Sequence, residues 1–357
     1  MQLMTGTKRK LATSAIAVLV SAFSGFVYPF IFPPAQQSAG PAWHSHINGI
    51  AVGTLIGLAL SFGELYLFRT RIRRLRFHLF IIVQALYYVV TTNIFVISVM
   101  SSHYIMLHGH TFEEETKSSV FQAFFQSSDF LPINAYALAV IIILSSIRQV
   151  SRMLGQHALV NFFSGKYHKP VEEERVFMFL DLKASTSIAE KLGHKRYHAF
   201  LNDFFFDITP AIIESKGEIY QYVGDEVVVT WPKERGVRDA NCINCYFRIA
   251  AAIARVADKY ERKYDCLPAF KAGYHYGTVI AGLIGDIKRD IVFHGDTVNT
   301  ASRIRSECTV VKRDLLLSGH LLGQLSISEY LTPENMGKIK LRGKEEEIEL
   351  YSIKEAA

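Results

Sequence analysis

Four long apolar stretches, at roughly 11–33, 47–68, 77–101 and 131–150, occupy most of the first 150 residues of this 357-residue chain. Each is close to the ~20 residues that an α-helix needs to cross ~30 Å of hydrocarbon. A helix in a water-soluble core would carry a polar stripe along one side. LATSAIAVLVSAFSGFVYPFIF carries no charged stripe, so the pattern predicts four membrane spans. The flanking charges orient them. Lys8, Arg9 and Lys10 precede the first span, Arg69, Arg71, Arg73, Arg74 and Arg76 separate the second from the third, and Arg148 and Arg152 close the fourth. The other two connections, 34–46 and 102–130, hold Lys117 as their one basic residue, and the second holds the acidic run Glu113-Glu114-Glu115. Basic residues favour the cytoplasmic side, so both termini are expected in the cytoplasm and the chain in the plasma (inner) membrane. The first span is longer than the apolar run of a cleaved signal peptide, and SAGPA is a poor cleavage site at that distance, so it reads as an anchor that stays. The net charge of +6 is largely these juxtamembrane arginines, which implies attraction to anionic lipid in the bilayer and no nucleic-acid partner.

Beyond the last span the pattern changes to that of a water-soluble domain. The expected division is a membrane domain over 1–151, a connecting and transducing segment over 152–174, and a soluble domain over 175–357. RVFMFLDL reads as a strand buried on both faces. Residues 185–216 read as helix interrupted at Gly193, and GEIYQYV and EVVVTWP as a hairpin closed by a Gly-Asp turn. A helix over about 238–263 follows. Then come a strand-rich region (AFKAGYHYGTVIAGLIG, RDIVFHG), a helix from DTVNTASRIRSEC, and a closing hairpin from KIKLRGK and IELYSI. This order predicts a ferredoxin-like α+β sandwich with helices on one face, joined to the four-helix membrane domain. The cysteines Cys242, Cys245, Cys266 and Cys308 lie in this half, where thiols stay reduced. Cys242 and Cys245 form a CxxC without a second pair, and read as small apolar residues on one helix face.

Two groups carry chemistry. Asp181 ends the first strand and Asp225 sits in the hairpin turn; in this order those strands are neighbours, which brings the carboxylates together. Two close carboxylates repel unless a cation lies between them, and hard oxygen ligands with open positions suit Mg²⁺ or Mn²⁺ clamping phosphates. Either residue alone would read as a helix cap or an Asx turn; the pairing at matching strand ends favours the metal. Asn299 and Arg303, at i and i+4 on one helix, present an amide and a guanidinium to the same side, able to hold a ribose oxygen and a phosphate with developing charge.

FLDLKAST, YVGDEVVV, the strand from Lys271 to Gly277, and GDTVNTASRI stand in an order and at separations that resemble the catalytic domain of class III nucleotide cyclases over about 173–355. The whole chain is similar to bacterial membrane-anchored members. The resemblance implies a homodimer paired head to tail, active sites at its interface, and conversion of a nucleoside triphosphate to a 3′,5′-cyclic monophosphate and pyrophosphate. It implies two Mg²⁺ or Mn²⁺ per site on Asp181 and Asp225 with the Leu182 carbonyl. One ion would lower the pKa of the 3′-hydroxyl and the other would hold the triphosphate. Asn299 and Arg303 would be supplied by the other copy. Lys271 stands where the family places a phosphate-binding arginine, and Arg342 and Lys344 where a lysine meets the terminal phosphate. The N–H groups up to Thr186 would cradle phosphate at a helix N-terminus. The purine-selecting positions are Gln221 and Val292, which match neither the adenylate nor the guanylate pattern; Gln can donate or accept through its amide. ATP is preferred because adenylate cyclases are the common bacterial case. The alternatives are a guanylate cyclase and a non-enzymatic receptor with a cyclase-like dimerisation domain. VGDEV also resembles the diguanylate cyclase signature, but Val223 replaces its first glycine and the NxxxR helix has no counterpart there.

In the membrane half, His44, His46, His103, His108 and His110 flank the outer ends of spans and lack any fixed ligand spacing, so they read as interfacial and loop residues. Glu64 lies within the second span, paired or reaching toward Arg69.

Overall fold

The computed structural model describes residues 3–32, 43–68, 77–109, 111, 113, 130–154, 164–326 and 330–355. They form two compact units, one ending at Val150 and the other beginning at Ser151. The arginine cluster 69–76, Lys117, Glu114, Glu115 and His110 lie outside the described residues.

The first unit is helical: α1 (Leu3–Ile31), α2 (Trp43–Phe62), α3 (Phe77–His108) and α4 (Phe130–Leu154), whose last residues run past Val150, with α2 running on into a π-turn over Gly63–Leu67. Four segments are long and apolar enough to cross a membrane: Ser14–Ile31, Trp43–Leu67, Ile82–His103 and Phe130–Ile147. Their outer surfaces carry exposed Leu19, Phe23, Ile82, Leu86, Ile142 and Ile143, a surface suited to hydrocarbon and poorly suited to water. Leu60, Tyr88, Ala137 and Ile141 pack inside. α1 and α2 approach closely because Gly25 and Gly49 face each other without side chains. The rings of His44 and His103 meet edge to face at 5.0 Å, and His46 packs on Phe26 and Phe30.

The second unit is built on one sheet of order β2-β3-β1-β4-β6-β8-β7, with β5 paired to β4. Its elements are β1 (Val171–Leu182), α5 (Ser185–Glu214), β2 (Glu218–Val223), β3 (Glu226–Pro232), α6 (Asn241–Arg255), α7 (Ala257–Tyr264), β4 (Phe270–Ile284), β5 (Asp290–His294), α8 (Asp296–Val311), β6 (Leu315–Ser318), β7 (Leu331–Lys340) and β8 (Glu347–Glu355). The run β2-β3-β1-β4 is the ferredoxin-like antiparallel order expected from sequence. β1 starts four residues upstream of Arg175, because Val171–Glu174 pair with Thr278–Ala281 of β4. Gly193 kinks α5, at φ 69°.

Alternate residues of β1 serve two cores, which is why it reads as continuously apolar. Val176, Met178, Leu180 and Leu182 face α5 and α6 together with Trp231, Phe200 and Phe204. Phe177 and Phe179 face the other way, toward Val228, Val279, Phe293 and Ala301. The expectation of helices on one face is therefore corrected: α8 covers the second face. The helix expected over 238–263 breaks at Val256 (φ −114°, ψ 18°) into α6 and α7. β6, a buried LLLS run parallel to β4, escaped the sequence reading because a four-residue apolar run has no period of its own. Cys242 and Cys245 are buried on the α6 face that meets the sheet, and burial pushes both thiols up to about 12. They are core residues, as the spacing predicts.

α8 docks on β4 at Gly273 and Gly277. A Cβ at Gly273 would overlap the backbone of Arg305, and one at Gly277 would come within 2.6 Å of Thr297 Oγ1. Gly273→Ala is expected to lower the stability of the second unit by about 3 kcal/mol, the upper end of the usual overpacking cost. Gly282→Ala on the same strand, where the nearest atom lies at 3.6 Å, serves as the tolerated control in thermal unfolding.

Candidate active site

The end of β1 is fixed on both sides by register: Asp181 lies opposite Glu226 of β3 and opposite Lys271 of β4. Gly224, at φ 62°, makes the turn that brings Asp225 to the same edge. Asp225 stands close enough to Asp181 for its charge to act on the Asp181 carboxyl, so the structure brings the two expected acids together. Burial is the largest influence on Asp181 and pushes its carboxyl above the ordinary range. The like charge of Asp225 adds to this, against the pull of Arg305 and Lys271. Glu226 is raised in the same sense, again chiefly by burial, with Arg305 opposing.

Two members of this cluster had no role in the sequence reading. Glu226 is 8% exposed. Arg305 reaches across from α8, with Nη1 3.1 Å from Asp181 Oδ2 and Nη2 2.9 Å from Glu226 Oε2. Glu226 stands beside Asp225 in sequence, but its approach to Asp181 depends on strand register. Arg305 is two residues past Arg303, and nothing in the sequence says which of the two faces the sheet. Lys271 Nζ lies 3.5 Å from Asp181 Oδ2 and donates to Thr309 Oγ1 at 2.8 Å.

Arg303 projects elsewhere, and Asn299, one turn before it on the same side of the helix, is exposed. Residues two apart on a helix point about 200° apart, so with Arg305 turned to Asp181 the Arg303 guanidinium lies against Gly343 instead. A Cβ on Gly343 would stand 3.4 Å from Arg303 Nη2. Lys344 pairs with Asp296 at the start of α8, whereas Arg342 is exposed. Of these two candidates, Lys344 is the one held beside the Asn299–Arg303 helix.

Thr186 is exposed in the first turn of α5, and no side chain caps that turn; Ala184, its N-cap, is left-handed at φ 52°. Leu182 is buried opposite Phe270. Gln221 is exposed on β2, and Val292 lies opposite Gly282 in the β4–β5 hairpin. Their neighbours tie the two strands together. The Tyr220 and Phe293 rings meet at 5.1 Å, and the Phe293 N–H donates to Tyr220 Oη at 3.4 Å.

Among the described residues no group of three or more His, Cys, Asp or Glu side chains forms a closed metal cage. The Asp181–Asp225 pair is instead an open, oxygen-only set whose repulsion a hard cation would relieve, a fit for Mg²⁺ or Mn²⁺ shared with phosphate oxygens.

Residues 167–355 match the family described as the adenylate and guanylate cyclase catalytic domain. This chain belongs to that family. It is 36% identical over 223 residues to Adenylate cyclase 2 of Rhizobium meliloti, covering 62% of this chain and 61% of the relative. It is 29% identical over 187 residues to the Adenylate cyclase of Anabaena cylindrica, covering 50% of this chain and 36% of the relative. The chain thus spans less than two thirds of the length of either relative. The fold resembles that of a bacterial light-regulated adenylyl cyclase, with a TM-score of 0.55 at 24% identity over 64% of this chain and 66% of that one.

Behind Lys344, His275 hydrogen-bonds Ser318 Oγ at 2.7 Å. Burial, helped by His320 and Lys344, pushes it from 6.5 down to about 4. Below pH 6.5 the unfolded chain takes this proton first, so His275 makes stability fall as pH falls, an effect complete near pH 4. His275→Asn is expected to flatten that part of the stability–pH profile, measured by thermal unfolding between pH 7 and about 4.

Proposed function

We propose that the chain is a membrane-anchored adenylate cyclase, which converts ATP to 3′,5′-cyclic AMP and pyrophosphate at sites shared between two copies. The observation that carries this reading is the division of labour on α8. Arg305 is committed to the Asp181–Glu226 edge of its own sheet, while Asn299 and Arg303 face away from that edge. A substrate held at Asp181 and Asp225 therefore meets the Asn299–Arg303 pair of a second copy, as a head-to-tail homodimer supplies it.

Asp181, Asp225 and the Leu182 carbonyl would hold two Mg²⁺ or Mn²⁺. Bound there, the ions would favour ionisation of the 3′-hydroxyl and offset charge on the triphosphate. The chain's own residues do the rest. Thr186 and the neighbouring N–H groups at the start of α5 receive phosphate oxygens. Lys344, beside Arg303, meets the terminal phosphate; Lys271 adds charge but not a bidentate fork. Asn299 orients the ribose so that the 3′-oxygen lies in line with the α-phosphorus, and Arg303 stabilises charge on that phosphoryl group as the bond to pyrophosphate breaks. The four apolar helices anchor the domain in the plasma membrane with both termini in the cytoplasm. The preference for ATP is supported by the adenylate cyclases among the relatives, since Gln221 can pair with either purine. Cyclic GMP from GTP would change the substrate and leave the mechanism intact.

Purified chain incubated with Mn²⁺ and ATP is expected to form cyclic AMP, and Asp225→Ala to abolish it. Arg303→Ala should lower kcat by about 100-fold or more. Mixing these two inactive variants is expected to restore activity toward about a quarter of wild type, because half of the random dimers keep one intact site of two. Absence of any cyclic mononucleotide from either ATP or GTP would refute the enzyme reading, and failure of the mixture to regain activity would refute the shared site.

A further inference from the structure

Arg305 bridges two carboxylates with one nitrogen on each, Nη1 on Asp181 and Nη2 on Glu226, at 3.1 and 2.9 Å. Its Nε is buried and has no hydrogen-bond partner, and neither does Glu226 Oε2 by strict hydrogen-bond geometry. A guanidinium offers its best geometry to a carboxylate through two parallel N–H groups. The bridging pose forgoes that fork to reach both acids. The origin of the side chain is fixed, because the Arg305 backbone rests on Gly273. Only the guanidinium end can redistribute between its two partners.

We propose that Arg305 is a built-in counter-ion of the acidic edge, which shares Asp181 in the metal-free protein and withdraws onto Glu226 when a divalent cation takes Asp181. This rests on the metal reading of Asp181 and Asp225 given above. A divalent ion and a guanidinium cannot both use Asp181 Oδ2, since like charges a few Å apart in a partly buried site repel strongly. Glu226, opposite Asp181 in register, gives Arg305 somewhere to stay. Turning there lets Nε and Nη2 address the two Glu226 oxygens, so the atom left unpaired in the bridge finds a partner. Lys271 does not substitute for it, because its Nζ is 3.5 Å from Asp181 and already donates to Thr309. Arg305 is thus a positioning residue: it offsets carboxylate repulsion before metal arrives, and metal must displace it. Because Arg305 sits on α8, metal occupancy and the placement of Asn299 and Arg303 are linked, and the linkage acts in both directions.

The test uses the full chain in detergent without nucleotide. Mn²⁺ binding is read from the electron paramagnetic resonance signal of free Mn²⁺, and thermal unfolding is followed in chelator. Arg305→Gln is expected to bind Mn²⁺ about tenfold tighter than wild type, with one competing charge removed, and to melt at a lower temperature in chelator. Glu226→Gln is expected to weaken Mn²⁺ binding in the wild-type background and to have little effect in the Arg305→Gln background. An equal effect in both backgrounds overturns the coupling, as does Mn²⁺ affinity that is unchanged or weaker in Arg305→Gln. Should Arg305→Gln not fold, Arg305→Lys keeps the charge but cannot span both carboxylates. It is expected to bind Mn²⁺ about threefold tighter, and wild-type affinity there overturns the inference. Wild-type protein that binds no Mn²⁺ removes the metal reading and this inference together. Binding that is lost in Asp225→Ala but indifferent to Arg305 and Glu226 removes this inference alone.

Discussion

Three carboxylates, Asp181, Asp225 and Glu226, share one end of a single sheet, and their repulsion governs what can surround them. Burial and mutual charge push Asp181 and Glu226 toward the protonated form, a state of little use for binding a cation. The chain offsets this with two basic side chains that arrive from different elements, Lys271 from β4 and Arg305 from α8. The acidic edge is therefore not a property of one hairpin. It exists only once β1, β3, β4 and α8 are all in place, so the site is coupled to the integrity of the whole unit. Such charge clusters are what one expects where a fold gives up stability for function.

The docking of α8 constrains this edge as much as the acids do. Gly273 and Gly277 lie four residues apart on β4, on the face that Phe177 and Phe179 of β1 share. Without side chains there, the helix backbone settles onto the strand closely enough for Arg305 to reach Asp181. The same approach turns Arg303 outward to the Gly343 loop, where Lys344 is anchored on Asp296. One rigid-body placement thus sets two opposed functions of a single helix, compensating charge on its own sheet and presenting groups away from it. That opposition makes a site divided between two copies the economical reading.

Much of this was legible in the sequence, for identifiable reasons. The apolar spans need only length and composition. Strand ends are marked by turns, so Asp181 and Asp225 could be placed at one edge before any coordinates. Asn299 and Arg303 follow from helical spacing. What stayed hidden depends on quantities that a one-dimensional pattern does not encode. The role of Glu226 depends on which residue of β3 faces Asp181. The role of Arg305 depends on the rotation of α8 about its own axis, which the Gly273 contact sets. β6 is too short to show a period, and the break at Val256 has no glycine or proline to announce it.

In the proposed site Gln221 and Val292 meet the purine, and what holds them in place is visible in the strands that carry them. The Gln221 amide is exposed on β2, and the bulge between Ile219 and Gln221 shifts the register of that strand just before it. The bulged residue, Tyr220, meets Phe293 edge to face, next to Val292. Arg175, itself buried, lies over the same Phe293 ring at 4.6 Å and hydrogen-bonds Thr230 at 3.1 Å. The backbone that carries Gln221 and Val292 is therefore held by an aromatic and ionic cluster. A change at Tyr220 or Phe293 would disturb Gln221 and Val292 together. On the proposed reading, purine preference is a property of this strand pair as much as of Gln221 and Val292 themselves.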